Sequence, residues 1–497
     1  MHRLFRWLVS SALVAGALAG SVGRPASAGT LSGTPSVLHV GQVTRQDVPS
    51  QPGSEADTVV EPDVAVSPVN ANIAIAAAHD SRFPNGGAVD ISVAWTSNAG
   101  ATWQHAPVQG ITTATGGPYD RASDPAVAFG ADGTAYLSVL LIDIATCPSA
   151  VAVLRSTDGG QTWSAPSYAH RSTSCDYSDD KNWLVVDRSP ASPHLGRLYQ
   201  FWTPFRYSGP TYLSSPQAVR FSDDKGTTWS ATHYVTAINH GSQNSQPMIL
   251  ADGTIVDTYY DYGVGGRAPD AAPGSAPENA HAAATMASGP MAAAGINSVG
   301  PIFASSSTDG GATWQQIGEV TNNGAGYAPG VRCCLFGADI DPVTQVMYVA
   351  WEGGGPGVTD PVLISSSRDG QLWSSPVRVS TGDVNGVQRV NVDVVARGGT
   401  VYVAYGTRTQ LTVSGGVVQQ QLSVSHDRGL TFDSPLSLGP ISVLKYAARA
   451  GGYFPGDYIG EALAPGRLYM VWARSSQPAA SSTSPYHQVI DGATLIP

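Results

Sequence analysis

An eight-residue pattern recurs along the chain and constrains its fold more than any other feature of the sequence. The clearest copies are Ser-Thr-Asp-Gly-Gly-Gln-Thr-Trp at residues 156–163 and Ser-Thr-Asp-Gly-Gly-Ala-Thr-Trp at residues 307–314. Related copies occupy residues 96–103, 222–229, 367–373 and 425–432, and the copy at 367–373 is one residue short. Six copies at roughly regular spacing predict one supersecondary unit per copy.

Each residue type in the pattern has a physical role in a tight turn. The aspartate carboxylate accepts hydrogen bonds from backbone N–H groups two or three residues further along the chain. Glycine adopts a backbone conformation that a side chain forbids, and tryptophan buries a large apolar surface beneath the turn. Each copy therefore predicts a β-hairpin turn with its own small core. The turn resembles the Asp-box (BNR) repeat of sialidases and related β-propellers, and this resemblance implies an all-β propeller.

A second repeated pattern, a short polar start followed by two apolar strands, lies between the turns. Its inner strands begin near Glu61, Asp124, Lys181, Gln246, Cys333, Arg389 and Asp457. Seven such starts for six turns predict a single propeller of seven four-stranded blades over residues 58–497, with six blades as the alternative. Residues 29–57 are expected to supply the missing strand through residues 36–40 and so close the ring. The insert at about 263–300, rich in Ala, Gly and Pro, is either a lid or a decoration.

The N-terminal residues predict export. A basic start, an apolar run over residues 7–22 and the small residues Ala26-Ser27-Ala28 form the pattern of a secretory signal peptide over residues 1–28. A membrane anchor is the alternative. The net charge of -11 argues against nucleic acid or an anionic membrane surface as the main partner. We therefore expect a secreted protein without a membrane span in its mature form, and a monomer, because a closed ring has no free sheet edge.

Four cysteines in an exported chain favour disulfides. Cys147 and Cys175 fall in neighbouring loops on one face of the propeller and are predicted to pair. Cys333 and Cys334 are adjacent, and either form a vicinal disulfide or remain thiols. No zinc signature is present, so we expect no metal cofactor. Calcium near the carboxylates of Asp176, Asp179 and Asp180 is a further hypothesis, and a solvated acidic loop is its alternative.

The mouth of a propeller is lined by the starts of its inner strands and the ends of the strands that follow. The first set is Glu61, Asp124, Lys181, Gln246, Arg332, Arg389, Asp457 and Tyr458, and the second is Asp80, Asp143, Asp261, Glu352, Arg408 and Arg474. The arginines suit an acidic sugar, because a guanidinium binds a carboxylate through two hydrogen bonds. The substrate-binding candidates are Arg82, Arg332, Arg389, Arg408 and Arg474. The alternative is that these residues form salt bridges between blades.

Two segments resemble sialidase blades. Residues 456–463, Gly-Asp-Tyr-Ile-Gly-Glu-Ala-Leu, look like the last blade, and this resemblance places Tyr458 as the catalytic tyrosine. Residues 77–82 and 90–95 look like the first blade, which implies Asp80 or Asp90 as the acid/base and Arg82 as a ligand for the substrate carboxylate. Glu61 or Glu352 would then activate Tyr458. Val60-Glu61-Pro62 stands where sialidases carry Arg-Ile-Pro, so one arginine of the family is absent.

Three functions follow from these features. The first is a sialidase-like glycoside hydrolase (exo-sialidase-like) that acts on a glycan through Tyr458, a neutral nucleophile that avoids repulsion from a substrate carboxylate. The second is a non-catalytic propeller that binds carbohydrate or protein at the same mouth. The third is a polysaccharide lyase. Residues 180–187 and 456–458 also resemble a broad group of exported bacterial sialidase-like proteins, a resemblance that implies no particular activity.

Overall fold

The chain folds into antiparallel β-sheets. The structure is a computed structural model that describes residues 33–144, 146–266, 299–325, 330–332, 335–354, 360–384, 386–411 and 415–497. The expected signal peptide, most of the insert, Cys333 and Cys334 lie outside these ranges. In the described ranges, no helix has the length and apolarity that a membrane crossing requires. Helical structure there is limited to two 3₁₀ turns, Thr113–Thr115 and Leu444–Tyr446.

Most strands form four-stranded antiparallel sets, named here sheets 1 to 7 in chain order and given from the innermost strand outward. Sheet 1 is β2 (Val59–Val66), β3 (Ala74–Arg82), β4 (Ala88–Thr96) and β5 (Gln104–Pro107). Sheet 2 is β6 (Arg121–Phe129), β7 (Ala135–Ile142), β8 (Ser149–Ser156) and β9 (Ser167–Ser172). Sheet 3 is β10 (Tyr177–Val186), β11 (Leu198–Ser208), β13 (Ala218–Ser222) and β14 (His233–Tyr234), with β12 (Thr211–Ser214) extending β11. Sheet 4 is β15 (His240–Ile249), β16 (Ile255–Val264), β17 (Val299–Ser307) and β18 (Gln315–Ala325).

The remaining sheets follow the same order, and the last one takes its outer strand from the N-terminal part of the chain. Sheet 5 is β19 (Gly337–Ile340), β20 (Met347–Glu352), β21 (Val362–Ser367) and β22 (Val377–Arg378). Sheet 6 is β23 (Gln388–Arg397), β24 (Thr400–Thr409), β25 (Val417–Ser425) and β26 (Leu436–Val443). Sheet 7 is β29 (Gly460–Ala464), β30 (Arg467–Ser475), β31 (Gln488–Ile496) and β1 (Ser36–Thr44). A small hairpin, β27 (Ala448–Arg449) and β28 (Tyr453–Phe454), precedes sheet 7.

The innermost strands contact one another in chain order. β2 packs against β6, and the contacts continue through β10, β15, β19 and β23 to β29, which packs back against β2. β1 pairs antiparallel with β31, from Ser36 opposite Ile496 to Thr44 opposite Ile490. The inner strands therefore make a closed circle of contacts, and the N-terminal strand completes the sheet at which the circle closes.

The apolar core lies between neighbouring sheets. Between sheets 1 and 2, for example, Ile75 and Ile91 pack with Phe129 and Leu137, and Trp163 from the turn at 156–163 covers the edge of this cluster. Similar clusters fill the other inter-sheet spaces. Burying the faces of strands rich in Val, Ile and Tyr supplies the main favourable free energy of folding.

Carboxylates on the inner strands also join neighbouring sheets. The carboxylate of Asp63 on β2 accepts the N–H of Val127 on β6 at 2.7 Å. Asp393 on β23 accepts the N–H of Glu461 on β29 at 2.9 Å, and Glu461 in turn accepts the N–H of Ala404 at 3.2 Å. Because backbone N–H groups have fixed positions, these bonds set how far one inner strand lies from the next.

The repeated turns connect the third and fourth strands of sheets 1 to 6, as the sequence predicts. In the turn at 307–314, Asp309 Oδ1 accepts the N–H groups of Ala312 and Thr313 at 3.1 and 2.9 Å. Its Oδ2 accepts the Thr313 hydroxyl at 2.6 Å, and the indole N–H of Trp314 donates to the Gly311 carbonyl at 3.0 Å. The N–H donors lie three and four residues after the aspartate, whereas they lie two and three residues after it in the turn at 367–373, which is one residue shorter.

Cys147 and Cys175 form a disulfide across 28 residues, which confirms the predicted pairing. Their Cα atoms are 5.0 Å apart. The bond ties the connection between β7 and β8 to the connection between β9 and β10.

We expect Asp309→Ala to lower the free energy of unfolding by about 1–2 kcal/mol at pH 7, because four hydrogen bonds to an exposed carboxylate are lost. Partial burial opposes ionisation, but these hydrogen bonds outweigh it and lower the pKa of Asp309 to about 2. The carboxylate therefore stabilises the fold above about pH 4, and this contribution is lost as the pH falls towards 2. Urea denaturation at pH 7 and pH 3 measures the effect. Thr308→Ala in the same turn is the control, and equal losses in both variants would contradict the prediction.

Candidate functional site

Five of the seven inner strands share a strained bulge close to their starts. In the described part of the chain, five non-glycine residues occupy this position with positive φ: Glu61 (54°), Asp124 (44°), Lys181 (38°), Asn244 (64°) and Asn391 (55°). Each lies where the pairing between the first and second strands of its sheet shifts register. A non-glycine residue in this backbone conformation lowers the stability of the fold by about 1–3 kcal/mol, and such residues occur often at functional sites. A bulge also re-aims its side chain, so these five positions define one face of the inner ring.

Glu61, His79 and Asp124 form a buried cluster between sheets 1 and 2. His79 Nδ1 lies 3.1 Å from Glu61 Oε2, and His79 Nε2 accepts the backbone N–H of Asp124 at 2.7 Å. A backbone N–H only donates, so Nε2 is unprotonated and the proton of neutral His79 sits on Nδ1, facing Glu61. One oxygen of Glu61 and one of Asp124 lie within 4.8 Å of each other and of a His79 nitrogen. The cluster therefore fixes two carboxylates at short separation.

Glu61, His79 and Asp124 are residue types that commonly bind metal ions, but the hydrogen bonds of His79 are incompatible with a metal bound at this position. A metal bound at His79 Nδ1 would require a proton on Nε2, which would then face the N–H of Asp124. The ammonium group of Lys181 already supplies positive charge to Glu61 and Asp124. Among the described residues, no other group of three potential ligands converges in this way. The arrangement is thus better suited to holding two carboxylates than to binding a cation.

The carboxylates of the calcium hypothesis have separate partners. Asp179 accepts the Ser149 hydroxyl at 2.7 Å and lies 3.6 Å from His170. Asp180 accepts a hydrogen bond from Gln243 at 3.2 Å. Asp176 is exposed. The structure therefore does not bring these three side chains together as ligands.

Lys181 lies beside the Glu61–Asp124 pair. Its Nζ is 3.9 Å from the ring centroid of Tyr458 and 4.1 Å from that of Trp183. Nζ is buried and, within the described residues, has no hydrogen-bond partner. Burial lowers the pKa of Lys181, and the neighbouring carboxylates of Asp124 and Glu61 oppose that effect. The ammonium is held by two aromatic faces and nearby negative charge instead of by a direct ion pair.

The segment that precedes β29 in sheet 7 contributes Asp457 and Tyr458 to the same cluster. Asp457 donates its N–H to Glu61 Oε1 at 3.1 Å, and its carboxylate pairs with Arg332 at 3.1 Å. The Tyr458 ring, 5% exposed, packs in an apolar cluster with Phe336 and Trp351 and makes an edge contact with Trp183. The structure thus brings Glu61 and Tyr458, two of the predicted catalytic residues, to one site. We name this site the mouth cluster: Glu61, His79, Asp124, Lys181, Trp183, Arg332, Asp457 and Tyr458.

The other predicted arginines have partners elsewhere. Arg82 donates to the carbonyls of Phe83 and Arg449 at 2.7 and 3.0 Å, and its guanidinium lies over the Phe454 ring. Arg389 is buried and pairs with Asp383 at 2.7 Å. These contacts leave both guanidinium groups inside the protein.

Arg408 and Arg474 are placed in the same way. Arg408 donates to the Gly415 carbonyl at 2.7 Å and to Gln388 at 2.6 Å, and Arg474 pairs with Asp491. Of the five predicted substrate-binding arginines, Arg332 pairs with another residue of the mouth cluster, Asp457. The alternative predicted salt bridges between blades. Instead, Arg474 and Asp491 pair within sheet 7, Arg389 pairs with the nearby Asp383, and Arg82 and Arg408 donate to backbone carbonyl groups.

Asp80 and Asp90 have local structural partners. Asp80 accepts the N–H groups of Asp47 and Val48, so it ties the segment after β1 to sheet 1. Asp90 accepts the hydroxyls of Thr112 and Thr115, both at 2.6 Å. Burial raises the pKa of Asp80 to about 7 and that of Asp90 to about 6. Their acid/base role stays a prediction, and these contacts assign them a role in positioning loops.

The sequence analysis places Asp124 and Lys181 at the mouth without a catalytic role, and it assigns no functional role to His79 or Trp183. The sequence feature that could have identified His79 is a polar residue inside an apolar stretch. His79 follows Ala76-Ala77-Ala78 near the end of a strand, where an unpartnered imidazole would be costly. A partner on the adjacent sheet could be inferred, but not which residue it is.

Glu352, the alternative activator of Tyr458, belongs to a second buried carboxyl pair. Burial and the nearby Asp360 carboxylate raise the pKa of Glu352 to about 8. Burial likewise raises the pKa of Asp360 to about 7, although the N–H of Arg389 donates to its Oδ2 at 2.9 Å. Within the described residues, Glu352 Oε1 and Asp360 Oδ1 have no hydrogen-bond partner. This pair therefore holds protons in the folded state near neutral pH.

We expect Asp360→Asn to stabilise the protein increasingly as the pH rises from 5 to 7. The folded pKa of Asp360 lies above its unfolded value, so folding takes up a proton in this range and wild-type stability falls with pH. The amide has no such proton uptake, so the variant gains up to about 1.4 kcal/mol per pH unit over the wild type. Chemical denaturation at pH 5, 6 and 7 measures the difference. Asp252→Asn, at an exposed turn, is the control, and a difference independent of pH for Asp360→Asn would refute the prediction.

Comparisons with known proteins agree with the repeat and with a distant relationship. Residues 154–165 match the BNR/Asp-box repeat. Over 114 residues the chain is 35% identical to a sialidase of Micromonospora viridifaciens, and this region spans 21% of the chain but only 15% of that sialidase. An α-L-arabinofuranosidase of Fusarium graminearum, solved with an iminosugar inhibitor, superposes with a TM-score of 0.47 at 13% identity over 93% of this chain and 98% of the other. An endosialidase of phage phi92 gives 0.46 at 9% identity over 92% and 69%. The chain therefore contains a BNR/Asp-box repeat and is distantly similar to a sialidase.

Proposed function

We propose that this protein is a glycoside hydrolase whose active site is the mouth cluster. The observation that carries the proposal is the short distance, within 4.8 Å, between carboxylate oxygens of Glu61 and Asp124. Most glycosidases use two carboxyl groups on either side of the scissile bond, and a separation near 5 Å is typical of those that retain anomeric configuration. The sialidase similarity and the Asp-box repeat support the same class of reaction.

In this proposal the two carboxyl groups have different roles. Glu61 receives hydrogen bonds from the N–H of Asp457 and faces the Nδ1 proton of His79, which favours its ionised form. Glu61 is accordingly the nucleophile and Asp124 the acid/base. His79 is a positioning residue that fixes Glu61, and the Lys181 ammonium limits repulsion between the carboxylates. Trp183, partly exposed, offers a face on which a sugar ring can stack.

Tyr458 is the competing nucleophile, as the sialidase resemblance implies. Its ring lies against Lys181 and Trp183 in the same cluster, so the two mechanisms share a site. The Glu61 and Tyr458 mechanisms predict that different single substitutions abolish turnover, so kinetic measurements on the variants distinguish them.

We further propose that sheets 1 to 7 are the seven blades of one propeller over residues 58–497 and that the protein is secreted. The circle of inner-strand contacts and the pairing of β1 with β31 support the blade number.

The basic and apolar start of the sequence and the Cys147–Cys175 disulfide support export to an oxidising compartment.

We expect Glu61→Gln and Asp124→Asn each to reduce kcat by at least about 1,000-fold on any glycoside that the wild type cleaves, because each removes one of the two reacting groups. Tyr458→Phe should keep kcat within about tenfold, because it retains both carboxylates. A panel of fluorogenic glycosides, with product configuration read by NMR, makes the measurement, and Asp252→Asn is the folding control. Abolished turnover in Tyr458→Phe, with activity kept in Asp124→Asn, would instead assign the tyrosine mechanism.

A non-catalytic glycan-binding propeller is the second candidate, and the burial of the mouth cluster favours it. Glu61, Asp124, Lys181 and Tyr458 are each at most 5% exposed. This function predicts saturable binding without product, and loss of binding in Trp183→Ala. Product release by the wild type at a rate that depends on Glu61 would exclude it.

A further inference from the structure

We infer that the mouth cluster accepts a neutral or positively charged sugar and discriminates against acidic sugars. This inference rests on the proposal that the cluster is the glycan site, and it reverses the expectation that the predicted arginines bind an acidic sugar. It is carried by the balance of charged side chains around the site.

Negative groups outnumber positive groups in the cluster. The single ammonium of Lys181 faces the carboxyl groups of Asp124, Glu61, Asp63 and Asp180. Two of these, Glu61 and Asp124, have oxygens within 4.8 Å of each other. Asp124 carries a proton as the proposed acid and burial raises the pKa of Asp63 to about 7, but Glu61 and Asp180 still place one more negative than positive charge around Lys181.

The second cation of the cluster does not change this balance. Arg332 donates to Asp457 from Nη2 at 3.1 Å and from Nε at 3.4 Å, and its guanidinium lies 5.8 Å from the centroid of the Phe454 ring. Arg332 therefore neutralises a carboxylate that belongs to the same cluster. Residues 267–298, which lie outside the described ranges, contain one arginine, one aspartate and one glutamate, so their sequence adds no net positive charge.

A carboxylate clamp also needs guanidinium groups whose planar forks face the ligand. Arg82 and Arg408 donate to backbone carbonyls, and Arg389 pairs with Asp383. Arg474 pairs with Asp491. Rearranging these residues towards a ligand would break buried hydrogen bonds and ion pairs inside sheets 1, 6 and 7.

These charges act oppositely on the two classes of ligand. The carboxylate of a sialic or uronic acid would enter a poorly hydrated region that already holds like charges, which weakens its binding. A protonated iminosugar, or a sugar ring that gains positive charge in the transition state, would be attracted by the same groups. A neutral sugar lies between these extremes and is the expected substrate.

Two matched pairs of glycosides test the inference, because the members of each pair differ only in a carboxyl group at C6. They are fluorogenic β-galactoside with β-galacturonide and β-glucoside with β-glucuronide; an α-L-arabinofuranoside and an α-sialoside extend the panel as unmatched substrates. We expect kcat/KM for the neutral member to exceed that for the acidic member by at least about 100-fold, as a like charge in a buried site predicts. Calorimetry with protonated iminosugars, neutral sugars and the corresponding sugar acids measures binding without requiring turnover.

A single variant checks that charge causes the preference. Asp180 is partly exposed, faces Lys181, and is not one of the reacting groups. Asp180→Asn keeps the side-chain shape and should reduce the preference for the iminosugar over the sugar acid about 3- to 10-fold, with a matching loss of salt dependence. Thr308→Ala, in a distant turn, should leave the preference unchanged.

The outcomes separate the two proposals. Cleavage of a uronide in preference to its neutral partner, or of the sialoside in preference to every neutral glycoside, would overturn the inference and leave the hydrolase proposal intact. Iminosugar or neutral-sugar binding without cleavage would support the inference and replace the hydrolase by a binding protein. Tighter binding of sugar acids than of iminosugars would overturn the inference whether or not cleavage occurs.

Discussion

Hydrogen bonds from backbone N–H groups to carboxylates on the adjacent inner strand hold the sheets in place. The sheets pair their strands internally, apart from one residue pair between β4 and β6 (Ala88 and Ala122), so apolar packing alone would let most neighbouring sheets slide over each other. Asp63, Asp393 and Glu461 each accept an N–H from a neighbouring sheet and so fix one direction of that sliding. Burying these acids is costly, and burial raises the pKa of Asp63 to about 7. The mouth cluster is built on the starts of the same strands, so its distances depend on these bonds.

The bulges of the inner strands allow hydrogen bonds of the same kind, from a backbone N–H to a side chain of the neighbouring sheet, at the mouth cluster. A residue with positive φ turns its side chain and its N–H away from the ordinary ladder, so the N–H becomes available to the preceding sheet. His79 accepts such an N–H from Asp124. At Glu352, burial raises the pKa and the N–H groups of Val392 and Asn391 oppose this effect. Imidazole and carboxylate thus occupy related positions in sheets 1 and 5. The charge state of each acceptor then follows from its other neighbours.

The sequence was sufficient for features that depend on residues close together in the chain. The turns, their position between third and fourth strands, and the Cys147–Cys175 pair all follow from local patterns and connectivity. The partner of each mouth residue depends instead on distances between sheets, which no local pattern encodes. Strand position therefore assigned Arg389 to the mouth, and the sialidase resemblance implied Asp90 as an acid/base, although the structure directs them to Asp383 and to two threonines. The strained bulge was also invisible, because Glu, Asp, Lys and Asn share no sequence signature for it.

The pairing of β1 with β31 has a consequence for the order in which the molecule can be made. Residue 36 is synthesised long before its partner, residue 496. Sheets 1 to 6 can form one after another as the chain emerges, but the circle stays open until β31 is available. β1 must wait for its partner while all six of these sheets are synthesised, with its pairing edge exposed. Such long-range closure is slow, so the last step of assembly is the one most sensitive to encounters with other chains.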